Sequence, residues 1–209
     1  THMAERHGVH VNLGRKAGVG DVLALDPDAI ILATGAGLRR PMNLVAEADP
    51  VTDGIVYIRE NAGRDVNRGG TAVLFDQEHG PATYGLADLL ARQFDKLILI
   101  TPRPGIGQNV NYCSAIGVYR RLHRAGVDIL PSHDLIDYRR GAVVCRNVFT
   151  EQEKTLGGIG EVVFVTPRLA DDALAGAFGD IPVHRIGDCL SPRNIMAAIH
   201  GGHIIGTAL

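Results

Sequence analysis

The sequence predicts an α/β protein built on a parallel sheet. Three observations carry that expectation. Short β-branched runs alternate along the chain with helical stretches, the pattern of parallel-sheet proteins. One of the runs, 29–33, is continuously apolar rather than alternating, as in a buried strand. Residues 71–101 read as strand, helix and strand, a βαβ unit of about 30 residues, the length of a mononucleotide-binding half.

Composition narrows the class. The chain has 209 residues, 45% hydrophobic and 21% charged, enough to bury a sizeable core without disulfides or metals. A net charge of −2 gives no pull toward nucleic acid or an anionic membrane, so Arg39-Arg40, Arg120-Arg121 and Arg139-Arg140 read as solvated pairs. Cys113, Cys145 and Cys189 are far apart and form no C-x-x-C, so no iron–sulfur cluster or redox disulfide is written here. They read as reduced, mostly buried thiols of a cytoplasmic protein. His200 and His203 lie three apart with no third ligand in view, and no metal site is expected. No apolar run reaches membrane-spanning length and no signal peptide is present, so no membrane partner is expected.

The elements follow in order. Thr1-His2-Met3 reads as a remnant of cloning, and residues 4–9 as the end of a helix entering a strand, the expectation for a chain cut inside an element. Strands are expected at 8–13, 22–24 and 29–33, and a crossover with Pro41, Pro50 and Asp53-Gly54 over 38–55. A middle region begins near Ile55. It holds a strand at 71–75, a helix at 82–93 and a strand at 96–101 closed by Pro102. A helix over 115–124 ends at Gly126, a plausible C′ residue. Strands near 127–130, 133–138 and 142–149 form an expected antiparallel meander, and 161–166 is one more buried strand. Residues 183–186 form a short strand leading into Gly187-Asp188. Ser191 is the expected N-cap and Pro192 the first residue of a helix reaching 208, with Ile195, Ile199 and Gly202 on one face. Gly201, Gly202 and Gly206 each cost that helix about 1 kcal/mol. Either close packing of the face or fraying near a terminus accounts for them.

Two motifs carry the chemistry: Ala33-Thr34-Gly35 after a buried strand, and Ile186-Gly187-Asp188 before the last helix. Each alone is no more than turn or cap chemistry. In this order, around an α/β insert, they are far more specific, and here the chain resembles the flavoproteins with two dinucleotide-binding domains. The resemblance implies an α/β, Rossmann-like FAD/NAD(P)-binding fold: a truncated FAD-type domain over 4–52 and 167–209, with an inserted NAD(P)-type subdomain over 53–166. It also implies that Thr34 and Gly35 end the FAD-domain crossover and that Gly187 and Asp188 approach the ribityl or ribose of the cofactor. Asp188 can accept hydrogen bonds from cofactor hydroxyls. A helix N-terminus at 192–194 would offer N–H groups and roughly half a positive charge to a pyrophosphate or anionic flavin.

The stretches 28–35, 86–91, 99–102 with Gly105-Ile106-Gly107, 121–127 and 186–195 are similar, in order, to the C-terminal half of the NADH:flavin oxidoreductase group. That group includes 2,4-dienoyl-CoA reductase, trimethylamine and dimethylamine dehydrogenases, histamine dehydrogenase and N-methylproline demethylase. The Pro192-Arg193-Asn194-Ile195 run after Gly187-Asp188 is the most specific match. In that group the portion seen here resembles the third of three modules, after a TIM barrel holding FMN and a cysteine-ligated 4Fe-4S cluster. The resemblance implies a nucleotide-binding, electron-transfer portion of a larger oxidoreductase acting on an amine, N-methyl or enoyl-type substrate. Its FMN and 4Fe-4S cluster would lie outside this chain, upstream of Ala4. Cofactor-binding candidates are Thr34, Gly35, Gly187, Asp188, Arg193, Asn194 and Ile195 for FAD or ADP, and Gly80 and Gly85 for NAD(P)H, with no catalytic residue in this stretch. Partners would be the rest of the parent polypeptide and an electron-transfer flavoprotein. The rival readings are an inert docking module of the same fold and a standalone NAD(P)H-dependent flavin reductase.

The central βαβ departs from the dinucleotide pattern. Read as G-x-G-x-x-G, the loop after 71–75 keeps Gly80 and Gly85, but Ala82 replaces the second glycine, which lets a pyrophosphate approach the backbone. Asp76 and Glu78 would repel phosphate. Where an acidic residue would bind a ribose 2′-hydroxyl, the chain has Thr101-Pro102-Arg103. A degenerate subdomain is favoured over an NAD(P)H site. With NAD(P)H bound the parent would be a reductase, and without it the parent would pass electrons outward. His79, Tyr84 and Tyr112 are expected either to line a site or to fill the core.

Overall fold

The computed structural model describes residues 6–45, 48–64 and 66–209. The helix end expected at residues 4–9 therefore lies partly outside the described residues. In chain order the elements are α1 (Val19–Leu23), β1 (Ile30–Leu32), β2 (Ala36–Leu38), β3 (Thr52–Asp53) and α2 (Gly54–Asn61). Then come β4 (Thr71–Asp76), α3 (Pro81–Gln93), β5 (Lys96–Ile100), α4 (Tyr112–Arg124) and β6 (Asp128–Leu130). The antiparallel strands β7 (His133–Arg139), β8 (Ala142–Asn147) and β9 (Glu153–Gly157) precede β10 (Ile159–Val165) and β11 (Arg168–Ala170). The chain closes with β12 (Val183–Arg185), a 3₁₀ turn at Gly187–Cys189, and α5 (Ile195–Ala208). Two compact units result: a central one over Gly37–Leu169, and a flanking one made of the chain up to Ala36 and from Ala170 onward.

The central unit is a parallel sheet in the order β3-β10-β4-β5-β6. Its three inner strands, β10, β4 and β5, are apolar on both sides because both sides are covered. Leu74, Leu99 and Val163 point to a core shared with Tyr57, Tyr84, Leu86, Leu90 and Leu122 of the helices. Their neighbours Val73, Phe75, Ile98, Ile100, Val162 and Phe164 point the other way, onto Leu135, Tyr138 and Val143 of the antiparallel sheet. The alternation of side chains along a strand thus feeds two cores at once. The α3 helix starts one residue before the expected 82, with Gly80 as N-cap and Pro81 at the first position, which has no need of an N–H.

Three expectations change in this unit. Residues 127–130 do not open the meander. They add β6 to the parallel sheet, with Ile98, Leu99 and Ile100 opposite Asp128, Ile129 and Leu130. The meander itself is made of β7, β8 and β9, paired antiparallel. Residues 38–55 are more than a crossover, since Leu38, Leu44, Ala48 and Val51 join the second core, and Val45 N–H donates to Ile136 O at 3.0 Å. Leu38, Leu44, Ala48 and Val51, placed by sequence in the FAD-type domain, pack in the central unit.

The flanking unit holds one parallel pair, β1 with β12, in the register Ile30–Val183, Ile31–His184 and Leu32–Arg185. Ile30 and Leu32 are buried with Phe178 and Cys189, whereas Ile31 is 44% exposed, so this strand is covered on one face only. Residues 9–13 form no strand. Val9, Val11 and Leu13 are exposed and no partner strand meets them. Residues 22–24 are helical rather than extended, because Asp21 accepts the Gly18 N–H at 2.9 Å and starts α1. The last helix begins later than expected. Asn194, not Ser191, is its N-cap, with Oδ1 accepting the Ala197 N–H at 2.9 Å. The cause lies in the preceding turn, where Arg193 N–H donates to Asp188 Oδ1 at 3.0 Å and holds residues 188–193 out of the helix. Among the described residues no helix is long and apolar enough to cross a membrane.

Candidate functional site

Parallel strands put their carboxyl ends on one edge, and the loops that leave them meet there. In the flanking unit those loops are Thr34-Gly35 after β1 and Gly187-Asp188 after β12. The ladder runs past the strand end, since Ile186 N–H donates to Leu32 O at 3.0 Å. Gly187 has φ +60°, the left-handed region that glycine enters without a Cβ penalty, and a Cβ there would stand 3.3 Å from Ala198 Cβ of α5. The Asp188 carboxylate closes the turn on Arg193 N–H. Residues 193–195 then lead into α5, whose first turn carries no acidic residue and is exposed to solvent.

The first motif is anchored from a third direction. Thr34 Oγ1 donates to Asp171 O, Asp171 N–H donates to Gly35 O at 2.9 Å, and the buried Cys189 thiol donates to Asp171 O at 3.3 Å. Asp171, which sequence reading passed over, therefore ties the two motifs together through its backbone. No sequence signal marks it, because a main-chain acceptor needs no particular side chain. Thr34, Gly35, Gly187 and Asp188 share one strand-end edge, and Arg193, Asn194 and Ile195 form the approach to α5. Gly80, the N-cap of α3, and Gly85 within that helix belong to the central unit.

At the end of β4 the central unit holds a polar cluster in an otherwise apolar core. Asp76 and His79 are fully buried. Asp76 Oδ1 accepts the N–H groups of Glu78 and His79 at 3.1 and 2.8 Å, and Oδ2 accepts the Tyr84 hydroxyl at 3.0 Å. Gly107 N–H donates to the Tyr84 oxygen. His79, at φ +60°, places Nε2 2.9 Å from Thr101 Oγ1 at the end of β5. Burial raises the Asp76 carboxyl to about 6, a rise that the His79 and Glu78 N–H groups and the Tyr84 hydroxyl partly oppose. Burial, with the nearby Arg103 charge, lowers His79 to about 4. Tyr84 is pushed upward by burial and by the Asp76 charge. His79 and Tyr84 thus belong to the core, whereas Tyr112 is exposed. Arg103 is engaged with Gln108 Oε1 at 3.0 Å. Gly80 is a buried N-cap, and Gly85 is exposed with open space around it.

No protein-family model and no curated protein matches the chain. Solved structures do. Histamine dehydrogenase from Rhizobium sp. 4-9 superposes with a TM-score of 0.83 at 24% identity, over 96% of this chain and 33% of that one. The 6-hydroxypseudooxynicotine amine oxidase of Pseudomonas geniculata N1 gives 0.80 at 23% identity, over 95% and 31%. A 2-naphthoyl-CoA reductase, solved with 2-naphthoyl-CoA, gives 0.82 at 22% identity, over 100% and 31%. The chain has the fold of one portion of these enzymes. It spans about a third of the length of the solved structures it matches. Their resemblance extends over both units and bears out the α/β, Rossmann-like fold class read from the sequence.

Proposed function

We propose that this chain is the nucleotide-binding, electron-transfer portion of a flavin-dependent oxidoreductase of the NADH:flavin oxidoreductase family. In this reading the flanking unit supplies one side of a pocket for FAD or ADP. The observation that carries it is the parallel register of β1 and β12, which brings Thr34-Gly35 and Gly187-Asp188 to one edge. Open α/β sheets bind their ligands at such an edge. The residues fit a nucleotide. Gly187 turns the chain tightly against α5, Asp188 is an acceptor for sugar hydroxyls, and the α5 start bears no acid to repel a diphosphate. When bound, a flavin would supply the hydride or electron transfer, while Thr34, Asp188 and the 193–195 approach would hold and orient it.

Further polypeptide completes this pocket in the proposal. A parallel pair of three-residue strands is too small to stand alone, and Ile195, Met196 and Ile199 of α5 are 79, 75 and 67% exposed. The amine and acyl-CoA compounds named for the similar structures are consistent with the substrate class proposed for the whole protein: an amine, an N-methyl compound or an enoyl-type thioester. The FMN and 4Fe-4S cluster belong to the parent outside this chain. Electrons would leave through the rest of that polypeptide or an electron-transfer flavoprotein, in the cytoplasm. Titration calorimetry of the chain with FAD, ADP, NADH and NADPH, combined with amide chemical shifts, tests the reading. FAD or ADP should move the Gly187 and Asp188 resonances. If neither ligand does so in the full-length parent, where the pocket is complete, the flanking unit is no nucleotide site.

A further inference from the structure

The fold of the central unit implies a dinucleotide at the β4–α3 turn, and the residues present do not fit one. A phosphate bound there would draw on backbone N–H groups of the turn and on the helix N-terminus. The donors of the turn itself already have partners. Glu78 and His79 N–H both donate to Asp76 Oδ1. Gly80 N–H donates to Glu78 Oε2 at 3.1 Å, and Thr83 Oγ1 donates to the same oxygen at 3.3 Å. The first helical residue is Pro81, which has no N–H to offer. The Glu78 side chain lies so close over the turn that a Cβ on Gly80 would meet its Oε2 at 2.4 Å. Gly80 therefore serves to admit a carboxylate from its own loop rather than a ligand. From the other side, Asn109 holds the loop in place. Its side-chain amide donates to Glu78 O, and its N–H donates to His79 O at 3.2 Å.

We infer that Glu78 is the resident anion of this turn. Its carboxylate takes the place of a pyrophosphate oxygen at the start of α3, and the central unit is closed to NAD(P)H by its own side chain. Ala82 marks the departure from the dinucleotide pattern in sequence, but it is exposed at the rim, and the obstruction lies at Glu78. This inference is independent of the FAD or ADP reading, which concerns the flanking unit.

The test follows the Gly80 and Thr83 amide resonances of the full chain during titration with inorganic pyrophosphate and with NADPH. In the wild type neither probe should move them. In Glu78→Ala, which frees the Gly80 N–H and the Thr83 hydroxyl, pyrophosphate should bind with a gain of about tenfold or more and shift both resonances. Glu78→Gln retains a hydrogen-bond acceptor and hence the loop, but loses the charge, and should gain a few-fold. It also serves if the Ala variant does not fold. Wild-type shifts at Gly80 on adding NADPH would overturn the inference, as would the absence of any gain in the folded variants. Shifts confined to Gly187 and Asp188 would report on the flanking unit alone.

Discussion

The Tyr84 hydroxyl donates to Asp76 Oδ2 across 3.0 Å with both residues fully buried, and it accepts the Gly107 N–H from the loop beyond β5. One phenol oxygen thereby joins the end of β4, the first turn of α3 and the 105–107 turn. Tyr84→Phe keeps the ring in the core but leaves a buried N–H and a buried carboxylate oxygen without that partner. The expected cost is about 1–3 kcal/mol, measured by denaturant unfolding of the central unit. A change within a few tenths of a kcal/mol would mean that water replaces the hydroxyl.

The same cluster sets a pH dependence whose two parts oppose each other. His79 is lowered from 6.5 to about 4, so the unfolded chain takes up the proton first, and stability is lost as pH falls from 6.5 toward 4. Asp76 is raised from 3.8 to about 6, so the folded chain takes up the proton first, and stability is gained as pH falls from about 6 to 3.8. In the wild type the two contributions largely offset between pH 4 and 6. In His79→Asn, a residue that tolerates the left-handed backbone, only the Asp76 part remains. Relative to the wild type, the variant should gain stability as pH falls through that window. Parallel profiles for the two proteins would remove His79 from the linkage.

Glycines of the flanking unit should respond in opposite directions. Gly187→Ala places a Cβ at φ +60° and 3.3 Å from Ala198 Cβ, with an expected loss of about 1–2 kcal/mol. Gly201→Ala meets nothing nearer than Gly187 N at 3.7 Å, so helix propensity dominates, and a gain of up to about 1 kcal/mol is expected. Unfolding midpoints of the two variants decide this, and a loss at Gly201 would show that its closeness to the 186–187 backbone leaves no room.

Gly54, the first residue of α2, is a packing glycine of a different kind. A Cβ there would stand 2.8 Å from Val165 Cγ2, 2.9 Å from Leu86 Cδ2 and 3.0 Å from Phe164 O. One of those neighbours is backbone and cannot turn aside. Gly54→Ala should cost about 1–3 kcal/mol by overpacking, read from thermal unfolding. An unchanged midpoint would show that α2 shifts freely against β10.

If the proposed cofactor site is right, Asp188→Ala in the full-length parent lowers FAD retention and leaves FMN content unchanged, as determined by flavin extraction. Unaltered FAD stoichiometry would take Asp188 out of the site.

The sequence by itself determined the β4–α3–β5 unit almost to the residue. Its cues are local: a run of apolar residues, a Pro at the first helical position, and a Pro after the second strand. It also marked the central loop as hostile to phosphate through Asp76, Glu78 and Ala82. Pairing partners were beyond its reach. Residues 9–13 have a strand's alternation but meet no strand, 128–130 joins the parallel sheet rather than the meander, and Ser191 gives way to Asn194 as a cap because Asp188 claims the Arg193 N–H first. Each outcome depends on a hydrogen-bond partner that spacing does not identify. The same holds for function. The acids of the central loop are visible as letters, but only the tertiary structure turns the Glu78 carboxylate onto the Gly80 N–H and closes His79 onto Thr101 from the next strand. Hydrophobic periodicity is written locally, whereas the choice of partner for a buried donor is made only when distant segments meet.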